Sequence, residues 1–154
     1  MYIVFWQVVA LIGIYFIHWL KTNKDDSQDV VSVVPGTKYK REELCRKILE
    51  QYFNRPFNRV YPDFLINDKT GRRMQLDCYN KELKLALEHH GIQHYRFPNS
   101  YHHSQKEFED LQYRDKLKKE LCEKEGIRLI VVPYNVPEKE LESYIISELH
   151  KLGM

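Results

Sequence analysis

Hydrophobic and polar residues alternate along two neighbouring stretches near the middle of the chain. From Arg73 to Tyr79, Met74, Leu76 and Cys78 fall on one face of an extended backbone, and Gln75, Asp77 and Tyr79 on the other. From Leu83 to Glu88, Leu83, Leu85 and Leu87 share one face, and Lys84, Ala86 and Glu88 the other. Asn80, Lys81 and Glu82 fit a tight connection between them, which predicts an antiparallel hairpin, although a period of two leaves its register open. Elsewhere the period becomes helical. Leu44, Cys45, Ile48, Leu49 and Tyr52 predict a helix from Arg41 to about Phe53, Phe108, Leu111, Leu117, Leu121 and Cys122 one over Gln105–Glu125, and Leu141, Tyr144, Ile145 and Leu149 a last one. Tyr61–Ile66 reads as a strand. Ile127–Val132 is an apolar run interrupted only by Arg128, the pattern of a strand covered on both faces, and Pro133 ends it. The order of elements predicts an α/β fold in which helices flank both faces of a mixed sheet.

The N-terminal segment follows another rule. Tyr2–Leu20 carries no formal charge at neutral pH apart from the titratable His18, and as a helix it spans roughly 28 Å, close to the apolar thickness of a bilayer. Tyr2 and Trp6 near one end and Tyr15 and Trp19 near the other suit the two membrane interfaces. Residues 1–21 are therefore expected to form a transmembrane anchor, with a buried helix as the alternative, residues 22–39 a linker closed by Pro35 and Gly36, and residues 40–154 one domain. Within the linker, Val30–Val34 could add a short edge strand. Lys21 and Lys24 follow the apolar run and no basic residue precedes it, which predicts a single pass with the domain on the cytosolic side, at a viral or host membrane.

Composition changes this picture little. A formal net charge of +2 does not by itself imply nucleic acid, but basic residues crowd Lys38–Arg73 and Lys116–Lys119. Cys45, Cys78 and Cys122 are odd in number, far apart and set in apolar patterns, so they read as reduced core residues rather than disulfides or a zinc site.

The candidate chemistry lies on the hairpin. Asp77 and Glu88 stand on the polar faces of adjacent strands, and two nearby carboxylates repel unless a positive group separates them. A divalent metal with a taste for hard oxygen ligands, Mg²⁺ or Mn²⁺, fits that need. Glu42 borders the apolar stripe of the first helix, aimed inward either as partner to a buried base or as part of a site, whereas Glu43 lines up with the solvated Lys47 and Glu50. Gly91 permits a bend directly beside Glu88. Arg96–Ser104, with His102 and His103, reads as a surface loop near the same site. Arg114 and Asp115 intrude into the apolar stripe of the long helix and need partners there, unless Arg114 reaches for a phosphate.

Taken together, Glu42, LDCY around Asp77, ELKLALEHHGIQHY with Glu88 and Gln93, the pair Arg114–Asp115 and GIRLIVVPY resemble the PD-(D/E)xK restriction-endonuclease-like superfamily over about Lys40–Tyr134. The likeness is to its very-short-patch-repair-like branch and to uncharacterised proteins of large DNA viruses. It implies a restriction-endonuclease-like core with a mixed sheet of four to five strands and hydrolysis of nucleic-acid phosphodiesters, DNA before RNA. Asp77 and Glu88 would hold Mg²⁺ or Mn²⁺, with Glu42 as a further ligand or support. The lysine that the family places two residues after the acid is replaced here by His90, and Gln93 or His94 would supply the missing group, His94 as a general base. Arg114, Lys118 and Lys119 would contact phosphates.

The expected function is thus a metal-dependent endonuclease tethered to a membrane, with a homodimer compatible. Two other classes stay open: a nucleic-acid-binding module of the same fold without turnover, and a membrane-tethered interaction protein whose polar residues are structural.

Overall fold

The computed structural model describes residues 40–154 apart from 103. The apolar run 2–20, the linker and Val30–Val34 lie outside the described residues, within which no helix is long and apolar enough to cross a membrane. The elements are α1 (Lys40–Phe53), β1 (Asn58–Val60), β2 (Leu76–Asn80), β3 (Leu85–His90), α2 (Gln105–Lys124), β4 (Arg128–Pro133) and α3 (Leu141–Lys151). They build one four-stranded sheet in the order β1-β2-β3-β4, antiparallel except for the parallel pair β3 and β4, with helices on both faces as the pattern predicts.

One face of the sheet presents Cys78, Leu85, Leu87, Ile130 and Val132 to Cys45, Ile48 and Leu49 of α1 and to Leu141, Ile145 and Leu149 of α3. The other presents Leu76 and Ala86 to Cys122 of α2, with Leu65, Met74 and Ile127 beside them. Leu85, Ala86 and Leu87 are each fully buried, so β3 is covered on both faces and Ala86 does not face solvent. The three cysteines are free and buried, as read from the sequence.

Two sequence expectations fail. The alternation that groups Met74 and Leu76 with Cys78 breaks inside β2, because Met74 and Leu76 pack in the second core and Cys78 in the first. Its cause is a register shift: Asn58 lies opposite Tyr79 but Val60 opposite Leu76, so β2 carries one more residue than β1 across this interval, and a bulge turns Leu76 to the other face. The strand expected over Tyr61–Ile66 is instead irregular, the first strand lying earlier at Asn58–Val60. Pro62 lacks a donor and its carbonyl accepts Leu65 N at 3.0 Å in a turn, leaving an isolated bridge between Ile66 and Arg73.

The ends of α2 follow local chemistry. Ser104 caps its start, its hydroxyl accepting from Glu107 N at 3.2 Å. Gly126, at a φ of 70°, reverses the chain into β4 in a conformation that disfavours a side chain.

Candidate functional site

The hairpin register is what assembles the site. Cys78 pairs with Leu87 and Tyr79 with Ala86, and just past the end of this ladder Asp77 and Glu88 come together. Asp77 N donates to Glu88 Oε1 at 3.2 Å, and both residues are almost wholly buried. Asp77 Oδ1 accepts from Gln75 Nε2 at 2.8 Å and Asp77 Oδ2 from His89 N at 3.2 Å. Glu88 Oε2 accepts from Lys118 Nζ at 2.7 Å. Each carboxylate oxygen thus has one donor and keeps a second lone pair.

Burial pushes the Glu88 carboxyl up to about 8; the Lys118 ammonium works against this shift, while the negative charge of Asp77 adds to it. Glu42 reaches the same neighbourhood from α1. Its carboxylate is paired with the buried Arg59 of β1, yet its pKa is raised, first by burial and then by Asp77. Glu42 thus partners a buried base, and the charge of Asp77 is felt at its carboxyl. Arg46 Nη2, one turn further along α1, donates to Asp77 O at 3.2 Å. A donor set of buried, hard oxygens in mutual repulsion fits Mg²⁺ or Mn²⁺, since a cation between them would relieve that repulsion.

Lys118 is the residue whose role the sequence misplaces. Expected as a phosphate contact on the solvated side of the helix, it turns inward, with its side chain only 13% exposed, onto Glu88. Its signal was its position one residue after Leu117, which packs on the second core. A cation thus reaches Glu88 from α2.

Beyond Lys118 a cleft of about 420 Å³ opens between the 61–75 segment and α2. Arg72, Arg73, Arg114, Lys118, His94 and Asp115 are on its wall, as are Tyr61 and Gln75. Tyr61 donates its hydroxyl proton to Gln75 Oε1 at 2.7 Å, so a hydrogen-bond chain runs from the cleft wall to Asp77. Arg114 does not enter the core; it is exposed, its Nε donates to Asp110 O at 3.3 Å, and it lines the cleft. Lys119 is exposed and outside the cleft lining.

After β3 the chain makes a single tight turn, Ile92–His94. Gly91 precedes it with φ −69° and ψ 173°, ordinary extended backbone, so left-handed freedom is not the reason for glycine. A Cβ there would lie 2.8 Å from Gln93 Cδ, and the glycine makes room for the Gln93 side chain folded back over it. His94 Nδ1 lies 2.7 Å from Asp115 Oδ2, which gives Asp115 the partner it needs. The His90 ring stacks on His94 with centroids 4.0 Å apart, and burial lowers the His90 pKa to about 4. His89 points to the opposite side of β3, where its Nε2 accepts from Arg41 Nε at 3.1 Å.

Three proteins of large DNA viruses are similar to this chain. Uncharacterized protein 094L of Frog virus 3 is 33% identical over 141 residues, which cover 91% of the chain and 86% of that protein. The chain belongs to this viral protein family. Uncharacterized protein 307L of Invertebrate iridescent virus 6 is 36% identical over 127 residues, and Uncharacterized protein 033L of Invertebrate iridescent virus 3 is 37% identical over 112. Each of these two matches covers 73% of the chain and respectively 64% and 58% of the relative, so the chain spans less than two thirds of these longer family members. No family model and no solved structure matches the chain.

Proposed function

We propose that this family member is a metal-dependent nuclease of the PD-(D/E)xK kind, hydrolysing nucleic-acid phosphodiesters, DNA in preference to RNA. The observation that carries the reading is the buried centre in which Asp77 faces Glu88 across two strands and Lys118 Nζ sits 2.7 Å from Glu88 Oε2 beside a basic cleft. An acid pair with an ammonium at this spacing is the chemistry that the sequence resemblance calls for, with the lysine delivered from a helix instead of from position 90. The element order, with helices on both faces of a mixed sheet, agrees.

In this reading Asp77 and Glu88 would hold Mg²⁺ or Mn²⁺, which polarises a phosphate and acidifies a bound water. The protein's own groups do the rest. Arg72, Arg73 and Arg114 line the path of the strand and take its phosphates, which positions the backbone without reading its bases. Lys118 favours the ionised form of Glu88 against its burial, and Arg59 does the same for Glu42. Tyr61 and Gln75 hold Asp77 in one orientation. In the same reading His94, held by Asp115 on the cleft wall, would accept a proton from water, and Gln93, its neighbour in the turn, would orient that water. The apolar run 2–20 would tether this activity to a membrane.

The test is cleavage of labelled single- and double-stranded DNA and RNA by the purified chain in Mg²⁺, Mn²⁺ or EDTA, beside Asp77→Ala and Glu88→Ala. Cleavage that requires metal and both acids, in variants with unchanged circular dichroism, is expected. Binding without cleavage under every condition refutes turnover and leaves a nucleic-acid-binding module.

A further inference from the structure

His90, His94 and Asp115 come from three separate places: the end of β3, the tight turn that follows it and the middle of α2. One ligand atom from each lies within 4.8 Å of the others. Among the described residues, both ion-pair partners of Asp115 are these histidines. Its Oδ2 is 2.7 Å from His94 Nδ1. Its Oδ1 is 3.9 Å from His90 Nε2, beyond a direct hydrogen bond. That gap is also short of the roughly 4.5 Å between two groups joined by one water, whose two hydrogen bonds open at about the tetrahedral angle. It exceeds the separation of about 3.0–3.5 Å between two ligands of one cation with bonds of about 2.0–2.2 Å, so an ion would draw His90 and Asp115 together and turn the His90 ring out of its stack on His94.

We propose that His90, His94 and Asp115 form a second metal site, separate from the Asp77–Glu88 centre and taking a divalent transition metal, Zn²⁺ foremost. Two imidazole nitrogens and one carboxylate oxygen suit Zn²⁺, whereas Mg²⁺ prefers an all-oxygen shell with retained water. His94 and Asp115 are on the cleft wall and His90 lies behind them, only 8% exposed, so the ion has protein on one side and an open position toward the cleft on the other. Three protein ligands with one open position is the arrangement of zinc sites that activate water rather than only brace a fold. With the ion bound, the His94 ring is a ligand, and the titrating group at the cleft wall is a metal-bound water with a pKa near ~7. The site is independent of whether the chain cuts nucleic acid.

The full chain, purified in a neutral detergent and stripped with a chelator, is titrated with Zn²⁺, and in parallel with Co²⁺ as a coloured substitute. With Mg²⁺ in large excess to occupy the Asp77–Glu88 centre, one Zn²⁺ per chain is expected, with affinity weakened by about 10- to 100-fold or more in His94→Gln and in Asp115→Asn, the range seen even for loss of supporting groups around a metal. Asp77→Asn should leave that affinity unchanged. Co²⁺ should give the intense visible bands of a nitrogen-ligated, low-coordinate ion, and this reading on the unmodified chain decides the matter if the variants unfold. No stoichiometric binding, a Co²⁺ spectrum like that of the aqueous ion, or binding lost in Asp77→Asn and kept in Asp115→Asn would each overturn the proposal. Since no cleavage is measured, the outcome is distinct from that of the nuclease test.

Discussion

Replacing Lys118 by methionine keeps the long apolar stem of the side chain and removes its charge. Glu88, 5% exposed, loses the cation 2.7 Å from its Oε2. The Glu88 carboxyl is already raised by burial from 4.5 to about 8 in the intact site. A raised carboxyl means that, between those two values, the folded chain holds a proton that the unfolded chain has released. Native stability therefore falls as pH rises through that window and levels off above about 8. Without Lys118 the Glu88 pKa rises further and the fall continues upward.

At pH 6 the variant meets an acid that is protonated in either case, so it loses little beyond one hydrogen bond, about 1–2 kcal/mol. Above pH 8 the intact chain ionises Glu88 beside Lys118 while the variant must hold the proton, at about 1.4 kcal/mol per pH unit. The cost of Lys118→Met at pH 9 should exceed that at pH 6 by about 1.4 kcal/mol, with a ceiling of ~3–5 kcal/mol for breaking a buried pair. Urea unfolding followed by helical circular dichroism at pH 6, 7, 8 and 9 measures this directly. In a Glu88→Gln background the Lys118→Met cost should lose its pH dependence. A cost equal at pH 6 and pH 9 in the otherwise unaltered chain would refute the argument that Lys118 opposes the protonation of Glu88.

Gly91→Ala places a Cβ against the Gln93 carboxamide in a backbone any residue adopts, so Gln93 swings away. Stability should change by less than about 1 kcal/mol while cleavage falls, and a variant of full activity would remove Gln93 from the proposed machinery. Arg114→Ala takes a cation from the cleft wall. Its affinity for DNA should drop by a similar factor on unrelated sequences and the salt dependence of binding should lose about one unit of slope, whereas an unchanged slope in a salt titration would take Arg114 off the phosphate path. The full chain should sediment with membranes and resist an alkaline wash, and a chain lacking residues 2–20 should stay in the supernatant. Recovery of the full chain in the supernatant would end the case for an anchor.

Much of the fold was legible because its signals are local. The 3.6-residue spacing of Cys45, Ile48 and Leu49, and of Leu141, Ile145 and Leu149, marks the buried faces of α1 and α3 without reference to any partner. The apolar run before Pro133 marks β4 as a strand, although it lies at the sheet edge with only Ile130 and Val132 buried instead of covered on both faces, and the alternation around Asp77 and Glu88 marks the hairpin that carries the acids. Reduced, buried cysteines follow from the same apolar patterns.

What only the tertiary structure decided is everything that depends on one element's placement against another. The β2–β3 register that brings Asp77 beside Glu88 is one of several that a period of two satisfies equally well, and only the folded hairpin selects it. The bulge that turns Leu76 away from Cys78 arises from pairing with β1, a strand that lies sixteen or more residues away in sequence. The rotation of α2 over the sheet brings Lys118 to Glu88 and Asp115 to His94 while it leaves Arg114 and Lys119 exposed. All four are charged residues of one helix, so their composition gives no order among them. Only the docked helix shows which two face partners that bury them, because a charge's role is set by the group it meets and not by its own identity.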